Sequence, residues 1–175
     1  RQIRAMVRRF GPKYGVRIDP GSHAANEFDL IGHPLGGFRA VGVNNTPTGA
    51  GAGFLFIDDP VKNLRDVQTQ EQRDAIWDWY VESLRGRLRP GGSAILIMSR
   101  WHEDDIIGRL FSERYRTADP WRRLSIPAIA MDDDPLGREP GEALCPELGY
   151  DRETLGELEV TLGRVFYANF QGQPQ

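Results

Sequence analysis

Two apolar runs separated by a helix-length segment constrain this chain more than any other feature in it. Phe54-Leu55-Phe56-Ile57 and Ala94-Ile95-Leu96-Ile97-Met98 are continuous rather than alternating, which predicts strands buried on both faces. Between them, Thr69 and Gln72 fit a capping box that opens a long helix. Its apolar positions Ile76, Trp77, Tyr80, Val81, Leu84 and Leu88 form one stripe. Arg85, Arg87 and Arg89 crowd its end, where cations complement the helix dipole, and Pro90-Gly91-Gly92 is expected to terminate it. Strand, helix, strand in this order predicts the βαβ unit of a parallel sheet with a right-handed crossover. The first run ends in Asp58-Asp59-Pro60 and the second in Ser99-Arg100-Trp101-His102. Parallel strands bring both endings to one edge, and open α/β sheets bind ligands at that edge.

Asp58 and Asp59 are adjacent carboxylates that repel one another unless a cation joins them. A buried strand ending in two acids is the arrangement of a Walker B motif. There the first acid holds hydrated Mg²⁺ beside a nucleotide and the second activates or orients water. A plain Asp-Asp-Pro turn accounts for the same residues, because Asp and Pro both favour turns. Both readings stand on the octet Gly53–Pro60 alone.

With 175 residues, 39% hydrophobic and 27% charged, the chain reads as one globular domain with a substantial core. A net charge of −3 argues against a uniformly basic nucleic-acid-binding surface and leaves local basic patches open. Cys145 is the single cysteine, so no internal disulfide forms and a reducing compartment is expected. No signal-peptide pattern and no membrane-length apolar run stands out, which predicts a soluble intracellular protein. The sequence opens at Arg1 inside a helical pattern and closes on Gln-Gly-Gln-Pro-Gln, as if cut from something longer.

Elsewhere, Ile3, Met6, Val7 and Phe10 fall at helical spacing, with Gly11-Pro12 as the stop; Arg1, Arg4, Arg8 and Arg9 lie elsewhere on the wheel, where a solvated face is a better account than contact with phosphate. Val16-Arg17-Ile18 suggests a short strand. Phe28–Ile31 and Phe38–Val43 predict two strands joined through His33-Pro34-Leu35-Gly36-Gly37. Neither His23 nor His33 has a partner at metal-ligand spacing. Asn44–Gly53 is small, polar and glycine-rich, suited to close backbone approach or to a plain connection, and has no Gly-Lys-Ser/Thr ending. Glu103-Asp104-Asp105 open another helix, with Ile106, Ile107, Leu110 and Phe111 facing inward. Trp121–Ile126 predicts a further strand, and Asp132-Asp133-Asp134-Pro135 a solvated acidic loop. Asp151 caps a helix carrying Leu155, Leu158 and Leu162, which Gly163 closes; Phe166, Tyr167 and Phe170 then dock the tail.

These pieces, in this order, resemble the ATPase domain of the large terminase subunit of tailed bacteriophages. The likeness runs from about residue 36 to the end. It rests on the glycine loop, Phe-Leu-Phe-Ile-Asp-Asp-Pro-Val-Lys-Asn, and the Trp-Asp-Trp-Tyr helix ending at Arg-Leu-Arg-Pro-Gly-Gly. It continues through Ile-Met-Ser-Arg-Trp-His-Glu-Asp-Asp, Ile-Pro-Ala-Ile-Ala, Gly-Glu-Ala-Leu-Cys-Pro-Glu and Phe-Tyr-Ala-Asn-Phe-Gln-Gly-Gln-Pro. The most specific piece is Ser-Arg-Trp-His-Glu-Asp-Asp, similar to the coupling motif of these motors.

The resemblance implies an α/β fold: a mostly parallel sheet with flanking helices, part of a P-loop NTPase domain of the ASCE type with a β-hairpin addition. It implies a remnant region over residues 1–35, a Walker B and coupling-motif core over 36–126, and an extension over 127–175 toward a nuclease domain. By position, Asp58 is expected to coordinate Mg²⁺ through water beside ATP, and Asp59 to polarise the attacking water. Ser99 and Arg100 would sense the γ-phosphate and couple hydrolysis to movement, and Arg39 is a candidate for the arginine that reaches a neighbouring subunit's nucleotide. The implied partners are double-stranded DNA, a portal protein, the small terminase subunit and further copies in a ring, in the host cytoplasm and transiently at the procapsid portal.

The chain departs from the family pattern. The phosphate-gripping Walker A loop is expected N-terminal to Arg1 and the nuclease domain beyond the tail. The second acid is Asp where these motors often carry Glu, and Cys145 stands where a tryptophan is expected. The 175 residues alone are therefore expected not to hydrolyse ATP. The alternatives are a helicase-like ATPase half, a nuclease using Asp58, Asp59 and Asp104 or Asp105 around two cations, or an interaction module without activity. Asp58-Asp59-Pro60-Val61 lacks the Asp-Glu-x-Asp/His pattern of helicases.

Overall fold

The computed structural model describes residues 2–24, 26–43, 45, 51–115 and 119–174. The chain forms two compact units, residues 1–50 and 51–175. Most of the glycine loop lies outside the described residues.

In the first unit, α1 (Gln2–Phe10) continues as a 3₁₀ turn over Gly11–Tyr14, so Gly11-Pro12 tightens the helix instead of stopping it. The apolar stripe of α1 is not buried: Ile3, Met6 and Phe10 are exposed. The residue that turns inward is Arg4. Its guanidinium donates to the Ser22 and Glu27 carbonyls at 2.6 and 2.7 Å and lies 5.2 Å above the Phe28 ring. Arg4 therefore does not belong to a solvated face.

The antiparallel pair β1 (Glu27–Leu30) and β2 (His33–Arg39) turns at Ile31-Gly32, where Gly32 has φ +74°. His33–Gly37 was expected as the connection but lies inside β2. The reason is close approach: a Cβ on Gly37 would fall 2.7 Å from the Phe28 carbonyl oxygen. Ile18 makes a single antiparallel bridge to Leu30.

The second unit is mixed α/β around a parallel strand pair, β3 (Ala52–Asp58) and β4 (Leu88–Ile97). The crossover begins with α2 (Gln70–Asp78), opened by the reciprocal Thr69–Gln72 capping box. It continues as a π-helical turn over Trp79–Leu84 and a 3₁₀ turn over Arg85–Arg87. Losing the Thr69 hydroxyl should cost about 1 kcal/mol in urea unfolding, since one orphan helix N–H loses its acceptor. Pro90-Gly91-Gly92, expected beyond the helix end, lies within β4. The strand register shifts there, and a Cβ on Gly92 would meet the Gly53 carbonyl oxygen at 2.9 Å. Glycine lets the two backbones close.

Ile57 joins Tyr80, Leu84, Ile106 and Leu110 in the core, with Leu55 and Leu96 packed against it. The opposite face is open: Phe54, Phe56, Ile95 and Ile97 are 55%, 57%, 45% and 52% exposed. This corrects the expectation of strands buried on both faces. Among the described residues the sheet has two strands, with α2 and its continuation on one side. Val81 and Phe111, expected inward, are exposed as well. Trp121–Ile126 pairs with no strand among the described residues.

Asp105 caps α3 (Ile106–Phe111) by accepting from the Gly108 N–H at 2.8 Å. Asp151 caps α4 (Arg152–Leu162) in the same way through the Thr154 N–H, and Gly163 ends it. The last helical segment, α5 (Arg164–Phe166), runs on as a π-helical turn over Tyr167–Gln171. Leu155, Phe166 and Ala143 form a second core against which Leu158, Leu162 and Phe170 pack, so the tail docks as expected. Gln171 reinforces this, its amide bonding both the N–H and the carbonyl of Ile129. The acidic loop is not simply solvated. Asp134 accepts from Arg138 at 2.6 Å with no side-chain exposure, and the Arg138 guanidinium holds its carboxyl below the usual carboxylate range.

Candidate functional site at the carboxyl edge of the parallel strands

In-register parallel pairing places Asp58 opposite Ile97, so the endings of β3 and β4 meet at one edge. Asp58 falls on the open side of the sheet, two residues on from Phe56, and is exposed. Asp59 follows with φ +42°, a left-handed conformation uncommon for a residue with a Cβ. Its N–H donates to the Ile97 carbonyl at 2.9 Å, extending the ladder one step past the strand. Its carboxylate meets the Ser99 N–H at 3.4 Å. The strained backbone is thus held from both sides by β4 and its continuation, and such strain concentrates at functional sites.

Arg100 is buried, and its guanidinium donates to Asp105 at 2.7 Å. Its backbone N–H donates to the Ala168 carbonyl, tying the end of β4 to the docked tail. Burial pushes the Asp105 carboxyl above its ordinary range, while Arg100 and the Gly108 N–H draw it back. Asp59, Ser99 and Arg100 line a cavity of about 290 Å³ together with Arg123, Ser125 and Asn169. Sequence reasoning passed over Arg123 and Asn169, and gave Asp105 only as a helix-opening acid and an alternative metal ligand, not as the partner of Arg100. Asp105, five residues after Arg100, carried a readable capping signal, whereas nothing local marks Arg123 or Asn169.

Gly108 is a steric keystone here. A Cβ at this position would lie 1.7 Å from the Glu103 carbonyl oxygen and 3.3 Å from the Arg100 Nη2. Gly108→Ala should cost about 3 kcal/mol, the upper part of the usual overpacking range, read as a lowered urea midpoint.

His102 sits just beyond. Its Nδ1 accepts from the Asp104 N–H at 2.9 Å, and burial, aided by the Arg73 charge, holds its pKa below the ordinary histidine value. The unfolded chain therefore binds more protons between that lowered value and about 6.5, so His102 makes stability fall as pH drops through this window. His102→Asn keeps an acceptor without a titrating group. The difference in stability between wild type and variant should therefore shrink toward acid, as followed by urea unfolding at stepped pH.

Asp104 belongs to a different cluster. It accepts from Arg109 at 2.6 and 2.9 Å and from Arg73 at 3.1 Å, and both arginines hold its carboxyl below the usual range. Asp104 and Asp105 are thus engaged by arginines rather than grouped with Asp58 and Asp59. Among the described residues no three His, Cys, Asp or Glu side chains gather into a metal cage. Asp58 has no ion-pair partner among them. The donor set fits a magnesium ion held mainly by phosphate and water, which needs only one or two carboxylates from protein.

Arg39 lies in the first unit, paired with Glu27 at 2.8 Å and Asp29 at 3.6 Å on β1. His23 and His33 are exposed there. Cys145 is a free, half-buried thiol. No helix among the described residues is long and apolar enough to cross a membrane. No protein-family model, curated protein or solved structure matches this chain.

Proposed function

We propose that this chain supplies the Walker B and coupling-motif part of an ATPase that packages double-stranded viral DNA into procapsids. The observation that carries the reading is the meeting of Asp59 with Ser99 at the carboxyl edge of two parallel strands. The finer fold assignment, part of a P-loop NTPase domain, belongs to the same proposal. So do its setting in a ring on a portal, its small-subunit partner, and its place in the host cytoplasm.

In this reading Asp58 presents its carboxylate on the open face for hydrated Mg²⁺. When bound, Mg²⁺ and ATP supply the phosphoryl group and neutralise its charge. Asp59 holds and orients a water, fixed by the Ser99 N–H. Asp105 orients Arg100, the group that reports on phosphate, and the Ala168 carbonyl links the end of that strand to the C-terminal segment. Arg39 remains the proposed arginine in trans.

The nuclease reading has less support, because Asp104 and Asp105 already neutralise arginines. The 175 residues contain no Gly-x-x-x-x-Gly-Lys-Ser/Thr loop, so they should release no phosphate from ATP in a coupled assay on their own. Robust turnover would contradict that. Mn²⁺-dependent DNA cleavage that disappears on Asp58→Ala would favour the nuclease instead.

A further inference from the structure

Charge divides sharply between the two units. In residues 1–50, seven cations against three carboxylates leave +4; the remaining residues carry fifteen against twenty-two, or −7. The three carboxylates of the first unit have occupations. Glu27 and Asp29 pair with Arg39, and Asp19 accepts from the Gly21 N–H. Arg4 is spent on carbonyl oxygens. This leaves Arg8, Arg9, Lys13 and Arg17 exposed within ten residues, with no carboxylate partner among the described residues. Arg8 and Arg17 share the wall of a cavity of about 190 Å³.

We infer that Arg8 and Arg9 on α1, Lys13 on its 3₁₀ continuation and Arg17 three residues beyond that turn form a binding surface for the phosphate backbone of duplex nucleic acid. The ligand chemistry follows from charge: four exposed cations without carboxylate partners among the described residues, within ten residues of chain, meet a polymer carrying regularly spaced anions, and counterion release drives binding. A membrane surface fits less well, because Lys13 and Arg17 lie beyond α1, so the four cations do not make up the polar face of a single interfacial helix. The Arg9 guanidinium and the Lys13 amine also lie over the Phe10 and Tyr14 rings, at 5.1 and 5.7 Å. The inference uses no atom of the Asp58–Arg100 edge and is tested without nucleotide, so its failure leaves that reading standing.

The test is fluorescence anisotropy of a labelled duplex of about 30 base pairs, titrated with the 175-residue chain across salt. Four phosphate contacts predict a log–log salt slope near −3.6, roughly a hundredfold loss of affinity between about 50 and 200 mM salt. The R8A/R9A/K13A/R17A variant should lose most of the binding and flatten the slope. R152A/R164A, which removes two exposed cations of the second unit, should leave both unchanged. If the quadruple alanine variant fails to fold by far-UV circular dichroism, R8Q/R9Q/R17Q decides: weakened binding with a flatter salt slope supports the surface, and unchanged binding overturns it. Also overturning it are no saturable duplex binding at about 50 mM salt, equal binding by a folded quadruple variant, or binding to phosphatidylserine vesicles in place of duplex.

Discussion

Asp58→Ala, in a longer chain that carries these residues together with a phosphate-gripping loop, should lower kcat for ATP hydrolysis on the order of 10³-fold, about 4 kcal/mol in the barrier. The side chain stands exposed at the strand end, away from the buried core, so its loss leaves the fold intact. The thermal midpoint should therefore move by less than about 1 °C while hydrolysis collapses, since exposed substitutions remote from packing cost little. Asp59→Asn should be nearly as severe in kcat, because the amide keeps the Ser99 contact but is a poor proton acceptor. Phosphate release at saturating Mg²⁺ and ATP reads both. Normal turnover in Asp58→Ala would remove that residue from the cation-holding role.

Arg109→Ala should have the largest effect on stability. This guanidinium is 1% exposed, bonds Asp104 and Asp74 at 2.6 Å, and lies 4.8 Å over the Tyr115 ring. Through these contacts α3 is joined to α2 behind the parallel pair. Removing it leaves a void and strands two carboxylates. Because Asp74 and Asp104 are partly exposed and can rehydrate, the cost falls at the lower end for a broken buried pair, about 3 kcal/mol. For a chain of this size that corresponds to roughly 10 °C in the thermal midpoint. Arg109→Lys should recover little, since an ammonium cannot reproduce the fork that grips Asp104 through Nε and Nη2. A midpoint unchanged in Arg109→Ala would show that the network contributes no net stability.

Local chemistry was readable from residue types. The Thr69–Gln72 capping box, the Asp151 cap and the Gly163 stop depend on neighbours within a few positions. The parallel pairing of Phe54–Asp58 with Ala94–Ile97 was readable too, because two apolar runs around a helix admit few arrangements. What the sequence concealed was which faces are covered. Phe54 and Phe56 carry the same apolar signal as Leu55 and Ile57, and only the tertiary partners decide which pair is buried. The strand through Pro90-Gly91-Gly92 was hidden for a different reason. Those residues mark turns in most settings, but here Gly92 is required because the Gly53 carbonyl lies against it.

At the site, the Asp59–Ser99 contact followed from topology once both strands were placed. Asp105 as the partner of Arg100 was partly visible. As a first-turn acid it had a sufficient local explanation, and that explanation obscured its second bond. Asn169 and Arg123 reach the same cavity from segments with no local signature, so their arrival depends on how the tail packs against Pro127–Ile129. The basic stretch on α1 was visible as composition, but the separation of Arg4 from Arg8, Arg9, Lys13 and Arg17 required coordinates.

The most direct test of the edge formed by Asp58, Asp59, Ser99 and Arg100 is paramagnetic broadening by Mn²⁺–ATP, observed by NMR in the longer nucleotide-binding chain with these residues labelled. The reading proposed here predicts that the amide signals of Asp58, Asp59 and Ser99 broaden first and most, while those of Asp132 to Asp134 stay sharp. Broadening centred on the acidic loop, or none at the strand edge when nucleotide is bound, would contradict it.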